Sequence, residues 1–180
     1  MSLNLEEYAG KKTEYPVVDA GKYEVVLNIK KKWSKDNSTD YGNCDFFIRN
    51  DKEATDANEL NAKWKGSHVF EKIYRDKVNP EWFNLSRLGE LLVTQKNKKD
   101  YRTIFDELDE LIQFLNGRTL VVEVEKKYDD YFQKEVNVVK QIKPYSPSTL
   151  GDYVSPEKAT ATVPTNYTEA ITVDDNDLPF

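Results

Sequence analysis

Apolar and polar side chains alternate between residues 21 and 33, and this period of two constrains the fold more than any other feature of the chain. The apolar positions are Tyr23, Val25, Leu27 and Ile29, and most of the residues between them are polar. Successive side chains of a β-strand point to opposite faces of its sheet. The segment therefore predicts a strand that buries one face.

Similar patterns predict four more strands, and a change of period predicts two helices. The additional strands are expected at 43–49, 67–75, 118–127 and 132–143, with polar loops at 34–42 and 50–66 and a short tip at 128–131. Apolar residues at helical spacing predict one helix that begins at Asn79-Pro80 and another that begins at Thr103 and ends before Gly117.

The resulting order of elements is β-β-β-α-α-β-β. It predicts a mainly β fold with helices: a five-stranded OB-like barrel with a helical insertion between strands 3 and 4, followed by a disordered C-terminal tail. A split sheet with helices on one face has the same order and remains an alternative.

Composition excludes several classes of protein. Hydrophobic residues make up 38% of the chain and charged residues 32%, and no apolar run approaches the roughly 20 residues of a membrane helix. Residues 1–7 lack the pattern of a signal peptide, so we expect a soluble cytoplasmic protein. The single cysteine, Cys44, and the single histidine, His68, lie in predicted strands and are interpreted as structural rather than catalytic.

Charge divides the chain into a body and an acidic end. Residues 1–143 contain 25 basic and 26 acidic residues, whereas residues 144–180 contain one lysine and six acidic residues. Proline, serine, threonine and alanine dominate from residue 146 to residue 173, without a sustained period. We therefore expect a domain at 1–145, a flexible linker at 146–173 and an acidic tail at 174–180.

Aromatic and basic residues share the faces that the strand register should expose. Single-stranded nucleic acids bind where bases stack on aromatic rings and cations follow the phosphates. The candidate DNA-binding residues are Lys30, Lys32, Trp33, Lys35, Phe47, Arg49, Phe70, Lys72, Tyr74, Lys126, Lys127, Tyr128 and Tyr131. The alternative interpretation is that many of these rings belong to the core. The register that exposes Phe70 also turns Glu71 inward.

A second cluster consists of carboxylates in the later helix: Asp106, Glu107, Asp109 and Glu110. Paired carboxylates can bind a divalent metal ion or transfer protons. They lie opposite the apolar stripe, however, so the simpler interpretation is the solvated face of the helix.

The last seven residues, DDNDLPF, contain the most specific motif. This ending resembles, nearly residue for residue, the acidic tail of bacterial single-stranded DNA-binding proteins, and Asn176 within the acidic run is the one departure. The order of elements, with KYEVV at residues 22–26 and VNVVKQIKP at residues 136–144, is similar to that of single-stranded DNA-binding proteins of bacteriophages that infect Gram-positive hosts.

The resemblance implies a function and a site for each part of the chain. The body would coat single strands during replication, recombination and repair without sequence preference, as a homo-oligomer in the cytoplasm of the bacterial host. The tail would recruit DNA-processing proteins of the phage or host, with Phe180 entering an apolar pocket of the partner. The partner-binding residues would be Asp174, Asp175, Asp177, Leu178, Pro179 and Phe180. We expect no enzymatic activity, cofactor, metal or membrane partner.

Two other functions remain open at this point. The chain could be an RNA-binding or protein-binding OB module whose tail has another use. It could also be a nuclease that holds a metal ion through the carboxylates of the later helix.

Overall fold

The structure is a computed structural model that describes residues 15–32 and 40–156, and it is mainly β with short helices. Its elements in chain order are β1 (Gly21–Lys32), β2 (Tyr41–Ile48), α1 (Lys52–Ala57), α2 (Glu59–Trp64), β3 (His68–Tyr74), α3 (Leu85–Val93), α4 (Leu108–Leu115), β4 (Thr119–Asp129), β5 (Lys134–Val139) and β6 (Tyr145–Pro147).

The strands form one antiparallel sheet in the order β3-β2-β1-β4-β5, and β6 pairs with β4. The first half of β1 pairs with β4 and the second half with β2, so β1 is the centre of the sheet. The alternating apolar residues of β1 are buried as predicted, opposite Cys44, Phe46 and Ile48 of β2. The mainly β fold with helices is confirmed.

A closed barrel is not confirmed. Among the described residues, no strand pairing joins β3 to β5, and the two strands flank a groove of about 960 Å³ instead. We call the gap between β3 and β5 the seam, and side chains cross it. Nε of Arg87, from α3, donates to Glu71 of β3 at 2.7 Å, and Nη2 of Arg87 donates to the carbonyl of Lys140 at 3.1 Å. The hydroxyl of Tyr145 also donates to Glu71, which faces inward as the register predicted. An ion pair and hydrogen bonds therefore take the place of a strand ladder here.

The predicted loop at 50–66 contains two helices. Each has only six residues, which is too short for a helical period to be recognised. The Asn58 side chain caps α2 by accepting from the backbone N–H groups of Leu60 and Asn61. Asn61 then lies fully buried and bridges the backbone of Glu24 to that of Arg49. This pair of helices thus joins β1 to the end of β2.

The two later helices begin five or six residues after their predicted starts. Asn84, and not Asn79, caps α3, since its side chain accepts from the N–H of Arg87 at 2.9 Å. The residues before it form turns around Asp76 and a β-bridge between Phe83 and Arg75. The second of these helices, α4, begins at Leu108 and ends before Gly117, whose φ of 82° is the left-handed conformation predicted for this position.

The chain after residue 144 continues to contact the body. Strand β6 pairs with β4, and the predicted boundary between residues 145 and 146 falls inside it. Beyond β6, the carbonyl oxygen of Gly151 accepts a hydrogen bond from Nη1 of Arg49 at 3.0 Å. The backbone N–H of Gly151 donates to the Glu53 carboxylate at 2.9 Å. Part of the predicted linker, up to Tyr153, therefore contacts the body although most of its residues are exposed, and residues 157–173 lie outside the described residues.

Candidate nucleic-acid interface

The outer face of β1, β2 and β3 presents side chains in regular rows. The strand registers place Val26 beside Phe47 and His68, Asn28 beside Asp45 and Phe70, Lys30 beside Asn43 and Lys72, and Lys32 beside Tyr41 and Tyr74. Neighbouring rows are two residues apart, which is about 7 Å along a strand. We call this surface the outer face. Six of the predicted DNA-binding residues lie on it: Lys30, Lys32, Phe47, Phe70, Lys72 and Tyr74.

A chain of five rings covers one end of the outer face. His68 stacks parallel to Phe70 at 5.9 Å between ring centroids, and Phe47 meets His68 edge-on at 5.3 Å. Tyr15 packs against Phe70 at 4.9 Å, and Tyr153 packs against Phe47 at 5.9 Å. Tyr15 is 53% exposed, whereas Phe47 and Phe70 are half-buried. The most accessible ring at this end therefore comes from the N-terminal segment and not from the strands.

A second pair of rings lies at the other end. Tyr41 and Tyr74 have ring centroids 5.9 Å apart, and Nζ of Lys72 lies 4.9 Å from the Tyr41 ring. Tyr74 is 53% exposed, and Lys30, Lys32 and Lys72 are exposed as well. The outer face therefore has an aromatic group at each end, with lysines beside and between them.

Sequence reasoning missed Tyr15, Tyr41 and Tyr153. Tyr41 could have been found, because it continues the outward set of β2 by one more alternation. The other two could not, since each lies outside the predicted strands and reaches the rings only through the tertiary fold. His68 was interpreted as structural, and the structure adds that its Nδ1 lies 2.7 Å from Oδ1 of Asp45 on the outer face.

Arg49 does not face outward, and that expectation is wrong. Its side chain is fully buried, with Nε and Nη2 donating to the two carboxylate oxygens of Asp51 at 2.9 and 2.6 Å. The strand ends at Ile48, so the alternation no longer applies one residue later. The guanidinium is therefore directed into the body, where it stabilises the turn after β2 and the returning segment at Gly151.

The four remaining described candidates lie on the hairpin of β4 and β5 and not in the rows of the outer face. Lys126, Lys127 and Tyr128 are exposed, and Tyr131 is 88% exposed at the turn. Nζ of Lys126 pairs with Asp19 at 3.1 Å. Asp19 also accepts from Lys63 and Trp64, and these hydrogen bonds hold the pKa of its carboxyl well below the usual range. Trp33, Lys35 and the six partner-binding residues lie outside the described residues.

Two of the four carboxylates predicted in the later helix have structural partners, whereas Asp106 and Glu107 lie before Leu108, the first residue of α4. Asp109 pairs with Lys31 at 2.6 Å, and Glu110 pairs with Arg102 at 2.7 Å. Within residues 15–32 and 40–156, no three acidic, histidine or cysteine side chains are arranged to hold a metal ion. Cys44 is buried, and burial raises the pKa of its thiol.

No helix in the described part of the chain combines the length and the apolar character needed to cross a bilayer. A scan against protein-family models finds no match to this chain, and a search of curated proteins finds no similar sequence.

Proposed function

We propose that this chain is a single-stranded DNA-binding protein that binds without sequence preference through the outer face. The observation that carries the proposal is the placement of aromatic groups at both ends of one surface, with exposed lysines beside and between them. Bases stack on rings whatever their sequence, and lysines follow the phosphates without reading bases. The resemblance of the DDNDLPF ending supports the same function.

The placement also agrees with how small β folds of this order bind ligands. OB-folds bind oligonucleotides on the face of strands 2 and 3 and at the loops between strands 1 and 2 and between strands 4 and 5. In this chain the outer face spans β1 to β3, and the β4–β5 hairpin is a separate basic and aromatic projection. We propose the OB-like assignment as the finer description of the fold.

Coating would be stoichiometric and would involve no covalent step. The protein would bind single strands formed in replication, recombination and repair, in the cytoplasm of a bacterial host. Its acidic tail, from Asp174 to Phe180, would recruit other DNA-processing proteins. Homo-oligomers would form as the chain covers a strand.

The proposal is tested by titrating a fluorescently labelled poly-dT oligonucleotide at several salt concentrations. Each phosphate that the protein neutralises should contribute about −0.7 to the slope of log affinity against log salt concentration. Lys72→Gln and Lys30→Gln should each lower affinity and make that slope less steep. Lys52→Gln, on the exposed side of α1, serves as the control and should change neither.

Two competitors give this experiment its decisive outcomes. Duplex DNA of the same length should compete poorly, because its bases are not free to stack on rings. A salt slope near zero, or stronger binding to duplex, would reject the proposal. Stronger competition by an RNA of the same sequence would assign the outer face to RNA instead.

A further inference from the structure

A pocket of about 330 Å³ lies between α3 and α4, and none of its lining residues belongs to β1, β2 or β3. Its lining is largely apolar: Trp82, Leu85, Leu88, Gly89, Leu92, Phe105 and Leu111, with Asn79 and Thr103 as the polar members. We call it the helix pocket. Two exposed apolar residues flank it in sequence, Val78 at 84% exposure and Ile104 at 78%. An exposed apolar patch with a concave centre is typical of a surface that binds another protein.

The turn between β4 and β5 projects from the surface, whereas the helix pocket is concave. Tyr131 and Phe132 are exposed, with ring centroids 5.0 Å apart and planes at 89°, so they form a compact projecting pair. Asp129 holds the turn by accepting from the backbone N–H groups of both residues at 2.9 and 3.0 Å. The Gln133 side chain donates to the carbonyl of Asp130 at 2.6 Å. A held turn loses little conformational entropy on binding.

We propose that the Tyr131–Phe132 pair of one copy inserts into the helix pocket of a second copy. Both rings of the pair are exposed to solvent, so burying them in an apolar pocket is favourable. The pocket has apolar walls and few polar groups that would lose their hydration. The two surfaces belong to different elements, so the contact is heterologous and can be repeated from copy to copy. Repetition gives an open chain or a ring, so the contact rests on the proposed function and specifies which surfaces join neighbouring copies on a coated strand.

The size of the contact predicts its strength. Two aromatic side chains bury roughly 150–250 Å² each. Even with the matching area of the pocket, the contact stays below the roughly 1,200–2,000 Å² of a stable interface. Self-association should therefore be weak in free solution. It should become strong when neighbouring copies share one DNA strand, because the strand raises their effective concentration.

Gly89 provides a way to block the pocket. A Cβ placed at Gly89 would meet no atom within 4 Å, so Gly89→Leu adds a side chain to the pocket without a clash at the backbone. Gly89→Ala is the matched control, since it makes the same helix-favouring change and leaves most of the pocket empty. Phe132→Ser removes the projecting ring. Ile142→Ser is its control, because Ile142 is exposed to 74% outside both surfaces.

The experiment is sedimentation velocity of the full chain at concentrations up to about 1 mM, together with cooperativity on long poly-dT. The unmodified protein and both controls should self-associate equally, and Phe132→Ser and Gly89→Leu should weaken association at least tenfold. An equimolar mixture of these two variants should form dimers only, because one keeps the pocket and the other keeps the ring pair. Circular dichroism checks that each variant is folded. If Gly89→Leu fails to fold, the inference is tested by comparing the self-association of Phe132→Ser with that of Ile142→Ser.

Three results would overturn the inference. The first is an unmodified protein that stays monomeric at every concentration and binds long poly-dT without cooperativity. The second is unchanged association in both Phe132→Ser and folded Gly89→Leu. The third is a loss of affinity by Phe132→Ser for an oligonucleotide too short for two copies, which would make the ring a nucleic-acid contact. A failure of all single-strand binding would reject the proposed function, and the measurements without DNA would still test this contact.

Discussion

At the scale of single residues, Tyr74 and Tyr41 differ in how accessible their rings are to a ligand. Tyr74 is the more exposed of the two, and Tyr41 is half-buried beneath the ammonium group of Lys72. A base can therefore reach the Tyr74 ring without displacing any side chain of the core. Stacking of one base on a ring contributes on the order of 1–3 kcal/mol to binding.

We expect Tyr74→Ala to weaken poly-dT binding by about 1–3 kcal/mol, while Tyr74→Phe keeps most of the affinity because it keeps the ring. Val93→Ala, an exposed apolar residue on α3, is the control and should leave affinity unchanged. Oligonucleotide anisotropy measures the affinity, and urea unfolding confirms that the variants are folded. Equal affinity of Tyr74→Ala and the unmodified protein would remove this ring from the interface.

Glu24 is a second residue whose surroundings give a measurable effect. It is 7% exposed, and its Oε2 has no hydrogen-bond partner among the described residues. Burial raises the pKa of the Glu24 carboxyl, and a hydrogen bond with Ser148 opposes the rise. The folded state thus binds this proton more tightly than the unfolded chain does. The contribution of Glu24 to the free energy of unfolding therefore falls as pH rises through and above the ordinary range for glutamate.

We predict that Glu24→Gln raises the free energy of unfolding at pH 7 and has little effect below about pH 4, where Glu24 is protonated. Urea unfolding at a series of pH values measures the difference between variant and unmodified protein, in which other titrating groups cancel. Glu135→Gln, at an exposed position of β5, should show no such dependence. A difference that is constant with pH would mean that Glu24 is not buried as described.

At the scale of elements, the segment after β6 connects parts of the body that are far apart in sequence. Gly151 binds both Arg49 and Glu53, and the hydroxyl of Tyr153 donates to Asn50 at 2.8 Å. Asp152 adds an ion pair with Lys98 at 3.0 Å, although this pair is exposed and contributes little. The segment therefore covers the turn after β2 and carries Tyr153 onto Phe47.

Truncation tests this element directly. A chain that ends at Pro147 loses the hydrogen bonds that Ser148, Gly151 and Tyr153 make to Glu24, Arg49, Glu53 and Asn50. These are four bonds of about 0.5–1.5 kcal/mol each, so the free energy of unfolding should fall by on the order of 2–6 kcal/mol relative to a chain that ends at Pro156. Urea unfolding of the two proteins measures the difference. Identical unfolding midpoints would show that residues 148–156 add no stability.

At the scale of the whole molecule, acidic residues are concentrated toward the C-terminal end. The body is nearly neutral, whereas residues 144–180 carry six acidic residues and one lysine. Aspartates repel phosphates, so an acidic tail should oppose DNA binding most at low salt, where screening is weakest. The same charges would steer the tail toward basic surfaces of partner proteins.

We predict that deleting residues 174–180 abolishes recruitment of DNA-processing proteins and leaves the affinity for poly-dT unchanged or modestly raised. Phe180→Ala should lose recruitment while keeping the low-salt effect on DNA binding, since the aspartates remain. Pull-down of host replication and repair proteins, compared with poly-dT titration of the same samples, measures the two effects. Equal recruitment by the full and shortened chains would contradict the role of the tail.

The sequence by itself determined strands β1 to β5 and which faces of β1, β2 and β3 are buried; β6 was not predicted. Alternation in β1, β2 and β3 depends only on backbone geometry and on the preference of apolar side chains for a buried face. It therefore placed Phe70, Lys72 and Tyr74 together without knowledge of the fold. Helical spacing and the preference for glycine after a helix placed Gly117 at the end of α4 in the same way.

Tertiary structure alone decided whether the sheet closes, where Arg49 points and which rings complete the outer face. Each depends on partners distant in sequence: Glu71 meets Arg87 and Tyr145 across the seam, and Arg49 meets Gly151. Tyr15 and Tyr153 reach Phe70 and Phe47 from opposite ends of the described chain. A local pattern records which face of a strand is buried, but it holds no information about which distant segment will cover that strand.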